Sequence, residues 1–146
     1  MKAYFHRRYH LSASHRLHTA ALSTEANRVT YGKCNNPFGH GHNYVVELCV
    51  SGQVDPATGM VINLADLDLI AEREILSRHD HTNLNTLKDF ENRVPTTENL
   101  CIAIFDRVAP AISGAQLEKV RVEETGKNFF EYSGRQQEFP HSVAAD

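Results

Sequence analysis

Between Tyr4 and Ser12 the chain alternates, with Phe5, Tyr9 and Leu11 on one side of an extended backbone and His6, Arg8 and His10 on the other. That period of two, rich in aromatics, predicts a strand. YVVELCVSG, Tyr44 to Gly52, repeats it, with Val46, Leu48 and Val50 facing one way and Val45, Glu47, Cys49 and Ser51 the other. A second, half-buried strand is predicted there. Asp55, Pro56 and Gly59 in DPATGM spell a turn, after which Met60 to Ile62 is expected to pair back as a short third strand. The period then changes. Leu64, Leu67, Ala71 and Ile75 recur at three- and four-residue steps behind Asn63, a good N-cap, which predicts an amphipathic helix from Asn63 to Ser77. A loop with Asp80, Asn83 and Asn85 leads to a second helix. It opens at PTTEN with Thr96 as N-cap and Glu98 in the positive first turn, carries the stripe Leu100, Ala103, Ile104, Val108 and Ala111, and ends at Gly114. Leu117 to Glu124 returns to period two, with Val120, Val122 and Glu124 on one face, and Phe129 to Tyr132 is a last short strand.

The order strands, helix, helix, strands points to an α+β fold, an antiparallel sheet with both helices on one face. Neither a repeat nor a linker interrupts it, so one domain is expected over residues 1–134. The tail from Arg135 to Asp146 is polar and aperiodic and is expected to fray. A length of 146 residues with 41% hydrophobic content suits a single compact core. The formal charge is -3 and no block of like charges runs long, so composition points to no nucleic-acid, membrane or other macromolecular partner. No apolar run approaches the roughly 18 residues of a membrane span, and MKAYFHRRYH is not followed by an apolar leader, so a cytoplasmic location is expected. Three cysteines, an odd number, argue for free thiols rather than a disulfide framework.

Chemistry concentrates in KCNNPFGHGHNY, Lys33 to Tyr44. If the backbone is extended at His40 and His42, both imidazoles share a face about 6–7 Å apart along the chain and can converge on one ion. Zinc takes nitrogen and sulfur ligands in a tetrahedron, and a catalytic zinc keeps three protein ligands, so a third is needed. His15 in SASHRL shares parity with Leu11 and Ala13 and would continue a core-facing row if the strand reaches it. For each histidine the alternative is a surface or hydrogen-bonded core residue. Cys34 reads as a fourth ligand, as an activated thiolate, or as a small buried apolar residue. Cys49 and Cys101, within a strand and a helix, read as packed thiols. Asp80 and His81 form a pair in which a carboxylate could fix an imidazole tautomer, or else a turn aspartate beside a solvated histidine. A core-facing Glu124 must be paired, bound to a ligand or protonated, unless the strand has ended and it turns to water.

Taken in order, SASHRL, KCNNPFGHGHNY, DPATGMVINLADL, DHTNL, PTTEN and EETGKN followed by Tyr132 closely resemble the 6-pyruvoyltetrahydropterin synthase family, from about Phe5 to Tyr132. The resemblance implies a Zn2+ site of His15, His40 and His42, with Cys34 as the base that abstracts a carbon-bound proton. It implies that Asp80 and His81 form a relay with the cysteine, contributed by a neighbouring subunit. Glu124 matches the glutamate that anchors the pterin ring, and Thr96 and Thr97 match residues lining that pocket. The implied fold is a T-fold, two helices layered on an antiparallel sheet that closes into a barrel, in a homohexamer of two trimers with active sites at subunit interfaces. The implied substrate is 7,8-dihydroneopterin triphosphate, converted to 6-pyruvoyl-5,6,7,8-tetrahydropterin with release of triphosphate, a step of tetrahydrobiopterin biosynthesis. Zinc on the side-chain hydroxyls would acidify the adjacent C–H bonds, so that a thiolate of moderate basicity suffices. Arg16, Arg28 and Lys33 are candidates for the triphosphate by proximity, and read equally as solvated surface charges.

Two other readings share these residues. The related 6-carboxytetrahydropterin synthases of the queuosine pathway have their cysteine three residues before the HGH, whereas here five residues, Asn35 to Gly39, intervene, a spacing that favours the pyruvoyl product. A non-catalytic zinc or pterin-binding protein would keep Cys34 only as a packed thiol. One departure stands out: the position before Asp80, usually apolar in the family, is His79. In an extended loop His79 and His81 would point the same way.

Overall fold

The computed structural model describes residues 1–135; the rest of the tail expected to fray lies outside the described residues. Strands β1 (Lys2–His15) and β2 (His40–Gln53) form a long antiparallel ladder running from Lys2 opposite Gln53 to His15 opposite His40. Alternation does what the pattern demands: Tyr9, Leu11 and Ala13 of β1 and Tyr44, Val46, Leu48 and Val50 of β2 are buried on one face. The edge strand β3 (Thr82–Asn83) lies beside β1 on one side, and β4 (Gln116–Thr125) and β5 (Asn128–Tyr132) extend the sheet beyond β2, in the order β3-β1-β2-β4-β5. The sheet is mixed rather than wholly antiparallel, because β3 runs parallel to β1 through Ala13–Thr82 and Ser14–Asn83.

Met60 to Ile62 form no strand. The turn closes on itself, with the Gly59 N–H donating to Asp55 O (2.7 Å) and the Asp55 N–H to Met60 O (3.0 Å). Both edges of β2 are already occupied, by β1 and by β4, so no ladder is open to a returning segment. An unexpected helix, α1 (Thr24–Tyr31), is capped by the Ser23 hydroxyl, which accepts from the Ala26 N–H (3.1 Å). Its single buried residue is Asn27, so there is no apolar stripe for periodicity to detect.

The two helices that were expected pack on the buried face. Helix α2 (Leu64–Ala71), capped by Asn63, continues through a π-helical stretch, Glu72–Leu76, and a last turn, Ser77–His79. Helix α3 (Thr97–Val108) is capped by Thr96 and gives way to a short turn around Pro110. Leu67, Ala71 and Ile75 of the first stretch and Leu100, Ala103, Ile104 and Val108 of α3 bury against Val46, Leu48, Val120 and Val122. Each buried Leu, Ile or Val side chain contributes about 1.5–3 kcal/mol, against typically ~1 kcal/mol for a cap. Sheet–helix burial therefore dominates. It also makes the end of the β1–β2 ladder, where His15 and His40 sit, a rigid rim. Among the described residues no helix is long and apolar enough to cross a membrane.

Candidate active site

The register places His15 opposite His40 and Ala13 opposite His42, so three imidazoles gather at the helix-facing end of the ladder. The Nε2 of His40 lies 3.1 Å from that of His15 and 3.1 Å from that of His42. His15 is buried, and its Nδ1 stands 2.8 Å from the Pro95 carbonyl oxygen. A carbonyl only accepts, so Nδ1 carries the hydrogen and Nε2 presents a bare lone pair to the cluster. Burial pushes both His15 and His42 down from the ordinary histidine value, which keeps them neutral. His42 Nε2 also faces Glu124 Oε1 at 2.9 Å, so the Nε2 hydrogens of His40 and His42 cannot serve all three contacts, whereas one cation among the nitrogens would satisfy them together. A tetrahedral zinc with bonds of about 2.0–2.1 Å sets its nitrogen ligands roughly 3.3–3.4 Å apart, so the donor set fits that metal in both chemistry and spacing. The glycine before His40 is required here. Gly39 has φ +70°, and a Cβ on it would stand 2.7 Å from the His15 carbonyl oxygen.

Cys34 lies in the short 3-10 turn Gly32–Asn35 that follows α1. Its sulfur and ligand nitrogens of His15 and His40 all lie within 4.8 Å of one another, as do ligand atoms of His15, His42 and Glu124. The turn is pinned at three points: the Leu17 N–H donates to Cys34 O (2.8 Å), Asn35 Nδ2 donates to Leu17 O (2.7 Å), and Arg16 Nε donates to Asn35 O (3.2 Å). Burial, and after it the Glu124 carboxylate, push the Cys34 thiol up from its ordinary value. Glu124 faces the cluster as β-parity predicts. Its Oε1 is 2.9 Å from His42 Nε2, while Oε2 accepts from Thr97 Oγ1 (2.7 Å) and Asn128 Nδ2 (3.2 Å). The two threonines divide. Thr97 is buried against Glu124, whereas the Thr96 hydroxyl is engaged as the cap of α3, accepting from the Asn99 N–H (3.2 Å).

Asp80 and His81 do not join this cluster within one chain. They stand at the β3 edge, where His81 lines an open cleft with Ser12, Gly41, His42 and Asn43. His81 Nδ1 is 3.0 Å from Asp80 Oδ1, and the His81 side chain is 82% exposed. Asp80 Oδ1 also accepts from the Ser12 N–H (2.8 Å), which is the first cause holding this carboxyl below its ordinary range. His79 does not point the same way as His81. It ends the helical stretch that starts at α2, and its side chain turns inward and is buried. Of the three cations near the motifs, Arg28 is committed to Glu25 by two contacts (2.7 and 3.1 Å) on exposed α1, and Arg16 to Asn35.

A family model described as 6-pyruvoyl tetrahydropterin synthase matches residues 4–135. The chain belongs to this family. A 6-pyruvoyl tetrahydrobiopterin synthase of Poecilia reticulata is 50% identical over 126 residues, 84% of each chain. The Homo sapiens 6-pyruvoyl tetrahydrobiopterin synthase is 48% identical over 129 residues, 88% of this chain and 89% of that one. The solved structure of Caenorhabditis elegans 6-pyruvoyl tetrahydropterin synthase superposes with a TM-score of 0.87 at 41% identity, covering 92% of this chain and 97% of that one.

In this member of the 6-pyruvoyl tetrahydropterin synthase family, several residues that set the site carry no chemical signature in the sequence. Pro95 holds His15 through a backbone oxygen, Asn35 ties down the Cys34 turn, and Asn85 brackets Arg16, accepting from its N–H (2.7 Å) and donating to its carbonyl (2.8 Å). The one available signal was the density of asparagines between motifs, since Asn side chains close turns against backbone groups.

Proposed function

We propose that the chain converts 7,8-dihydroneopterin triphosphate to 6-pyruvoyl-5,6,7,8-tetrahydropterin with release of triphosphate, using Zn2+ held by His15, His40 and His42 and Cys34 as the base. The observation that carries this reading is the convergence of three imidazoles beside one thiol and one carboxylate. Family membership and the named synthases at 48–50% identity support the same activity.

The residues divide the labour by their chemistry. Glu124, steadied through Oε2 by Thr97 and Asn128, offers a carboxylate that can accept paired N–H bonds from the pterin ring and so fix its orientation. A zinc ion bound by the three imidazoles would supply Lewis acidity to the side-chain hydroxyls and so acidify the neighbouring C–H bonds. Cys34, held by its turn and kept off the metal, accepts the proton from that carbon. Its thiol is raised by burial and by Glu124, and the positive charge of a Zn2+ held by the imidazoles would offset this and favour the thiolate form. Asp80 holds His81 to move protons at the adjacent carbon. The reaction rearranges oxidation levels between ring and side chain, so no external reductant is consumed.

The exposed Asp80–His81 pair, set apart from the Cys34 cluster, suits a relay that enters a neighbouring subunit's site. This supports the homohexamer with interfacial active sites. Barrel closure between subunits would also cover the sheet edges left open at β3 and β5. The single domain over residues 1–134, the T-fold assembly and a cytoplasmic location belong to the same proposal.

Incubating zinc-loaded protein with 7,8-dihydroneopterin triphosphate tests it. The expected result is one triphosphate per 6-pyruvoyltetrahydropterin formed. A carboxypterin with acetaldehyde would reassign the product. No turnover despite bound zinc and pterin would leave a binding protein.

A further inference from the structure

His79 is the one buried side-chain polar atom without a hydrogen-bond partner among the described residues, at its Nε2. Its Nδ1 lies 2.8 Å from the Ile75 carbonyl oxygen, one turn back, and its Nε2 faces Asp89 Oδ2 at 3.4 Å. Both neighbours are acceptors. A neutral imidazole has one N–H, so either tautomer leaves one ring nitrogen facing an acceptor without a hydrogen between them. Asp89 is itself clamped by Arg107 of α3 through Nε (2.9 Å) and a second, shorter contact. An aliphatic side chain has no ring nitrogen and would fill this pocket without the conflict.

What the imidazole provides is a fixed point next to the exposed pair. The segment leaves the π-helical stretch Glu72–Leu76, which resets the angle at which the last turn arrives, and reverses onto the edge of β1. His79 is buried, whereas the Asp80 and His81 side chains are 32% and 82% exposed. His81 is held at φ +57°, rare for a non-glycine residue, with its N–H donating to Ser12 O (2.6 Å). The His79 carbonyl in turn accepts from Thr82 Oγ1 (2.7 Å). The reversal is thus bracketed on one side by β1 and on the other by His79 and the Asp89–Arg107 clamp.

We propose that His79 is a positioning residue: anchored between the Ile75 carbonyl and the Asp89–Arg107 clamp, it fixes the backbone from which Asp80 and His81 project. This rests on the role assigned to that pair under the proposed function. A small rotation at residue 79 swings two short side chains at the rim, and a misplacement of about 1 Å can cost on the order of 100-fold in rate.

The test compares His79→Leu and His79→Asn with the wild type in zinc-loaded protein. His79→Leu is expected to keep its melting midpoint, zinc content and KM while kcat falls about tenfold. His79→Asn, whose amide can still donate to Ile75 O, is expected to recover most of that loss. A His79→Leu protein with wild-type kcat, or one whose kcat falls only as its folded fraction falls, overturns the proposal. Should His79→Leu not fold, Asp89→Asn with Arg107 intact serves as the second variant, and an unchanged kcat there counts against positioning. A wild type without turnover counts against the assigned activity instead. Positioning is then read from the His81 ring resonances by NMR, which His79→Leu should shift and His79→Asn restore; unmoved resonances overturn it.

Discussion

His15 and His40 stand opposite each other in the β1–β2 ladder, with their Nε2 atoms 3.1 Å apart. Hydrogen bonding alone cannot satisfy the cluster: the Pro95 carbonyl holds the His15 hydrogen on Nδ1, and the Nε2 hydrogens that His40 and His42 can carry are too few for the three contacts His15–His40, His40–His42 and His42–Glu124. The proposed Zn2+ would account for that approach, and the roles proposed for the surrounding residues follow from it.

Cys34 stands close enough to the cluster to respond to its charge. In the proposed role of base, its loss should remove proton abstraction and leave zinc binding in place. Cys34→Ala is expected to lower kcat by about 10²–10⁴-fold, with zinc content by metal analysis at the wild-type level.

Gly39 admits no side chain. Gly39→Ala must carry about 1–2 kcal/mol for the left-handed backbone and also relieve a 2.7 Å contact with His15 O. The relief displaces either His15 or His40. We expect a lower melting midpoint together with zinc affinity weakened by roughly 10–100-fold, measured by chelator competition.

Glu124→Gln keeps the shape but loses the charge and one acceptor. A hydrogen bond to a charged group contributes about 1.5–3 kcal/mol, so KM for the pterin should rise by roughly 10–100-fold. Zinc content, set by the imidazoles, should not change.

Burial lowers His79 from its ordinary value near 6.5. As pH falls, the unfolded chain therefore takes the proton first, and stability declines. The contribution is complete above about pH 6.5 and is lost as the pH drops from there through the folded-state value. Urea midpoints of wild type and His79→Leu at pH 7.5 and 5.5 check this. The wild type should lose more on acidification, because the groups common to both proteins cancel in the difference.

Much of this site was legible because it is built on regular elements. Period two put His15 in a core-facing row, His40 and His42 on one shared face and Glu124 beside Val120 and Val122, and the fold brings the four side chains together. Both packed helices were visible as apolar stripes with caps. What could not be read was held by polar or backbone contacts. α1 buries only Asn27, and the expected strand at Met60 to Ile62 failed because both edges of β2 were taken by segments distant in sequence. His79 looked like a companion to His81 only on the assumption of an extended loop. The helix runs on to His79 and turns it inward.

X-ray absorption at the zinc K-edge of the loaded protein tests the division of labour most directly. Three imidazole nitrogens at about 2.0–2.1 Å with no sulfur in the first shell is the expected spectrum. A sulfur scatterer near 2.3 Å would make Cys34 a ligand and contradict its assignment as the base.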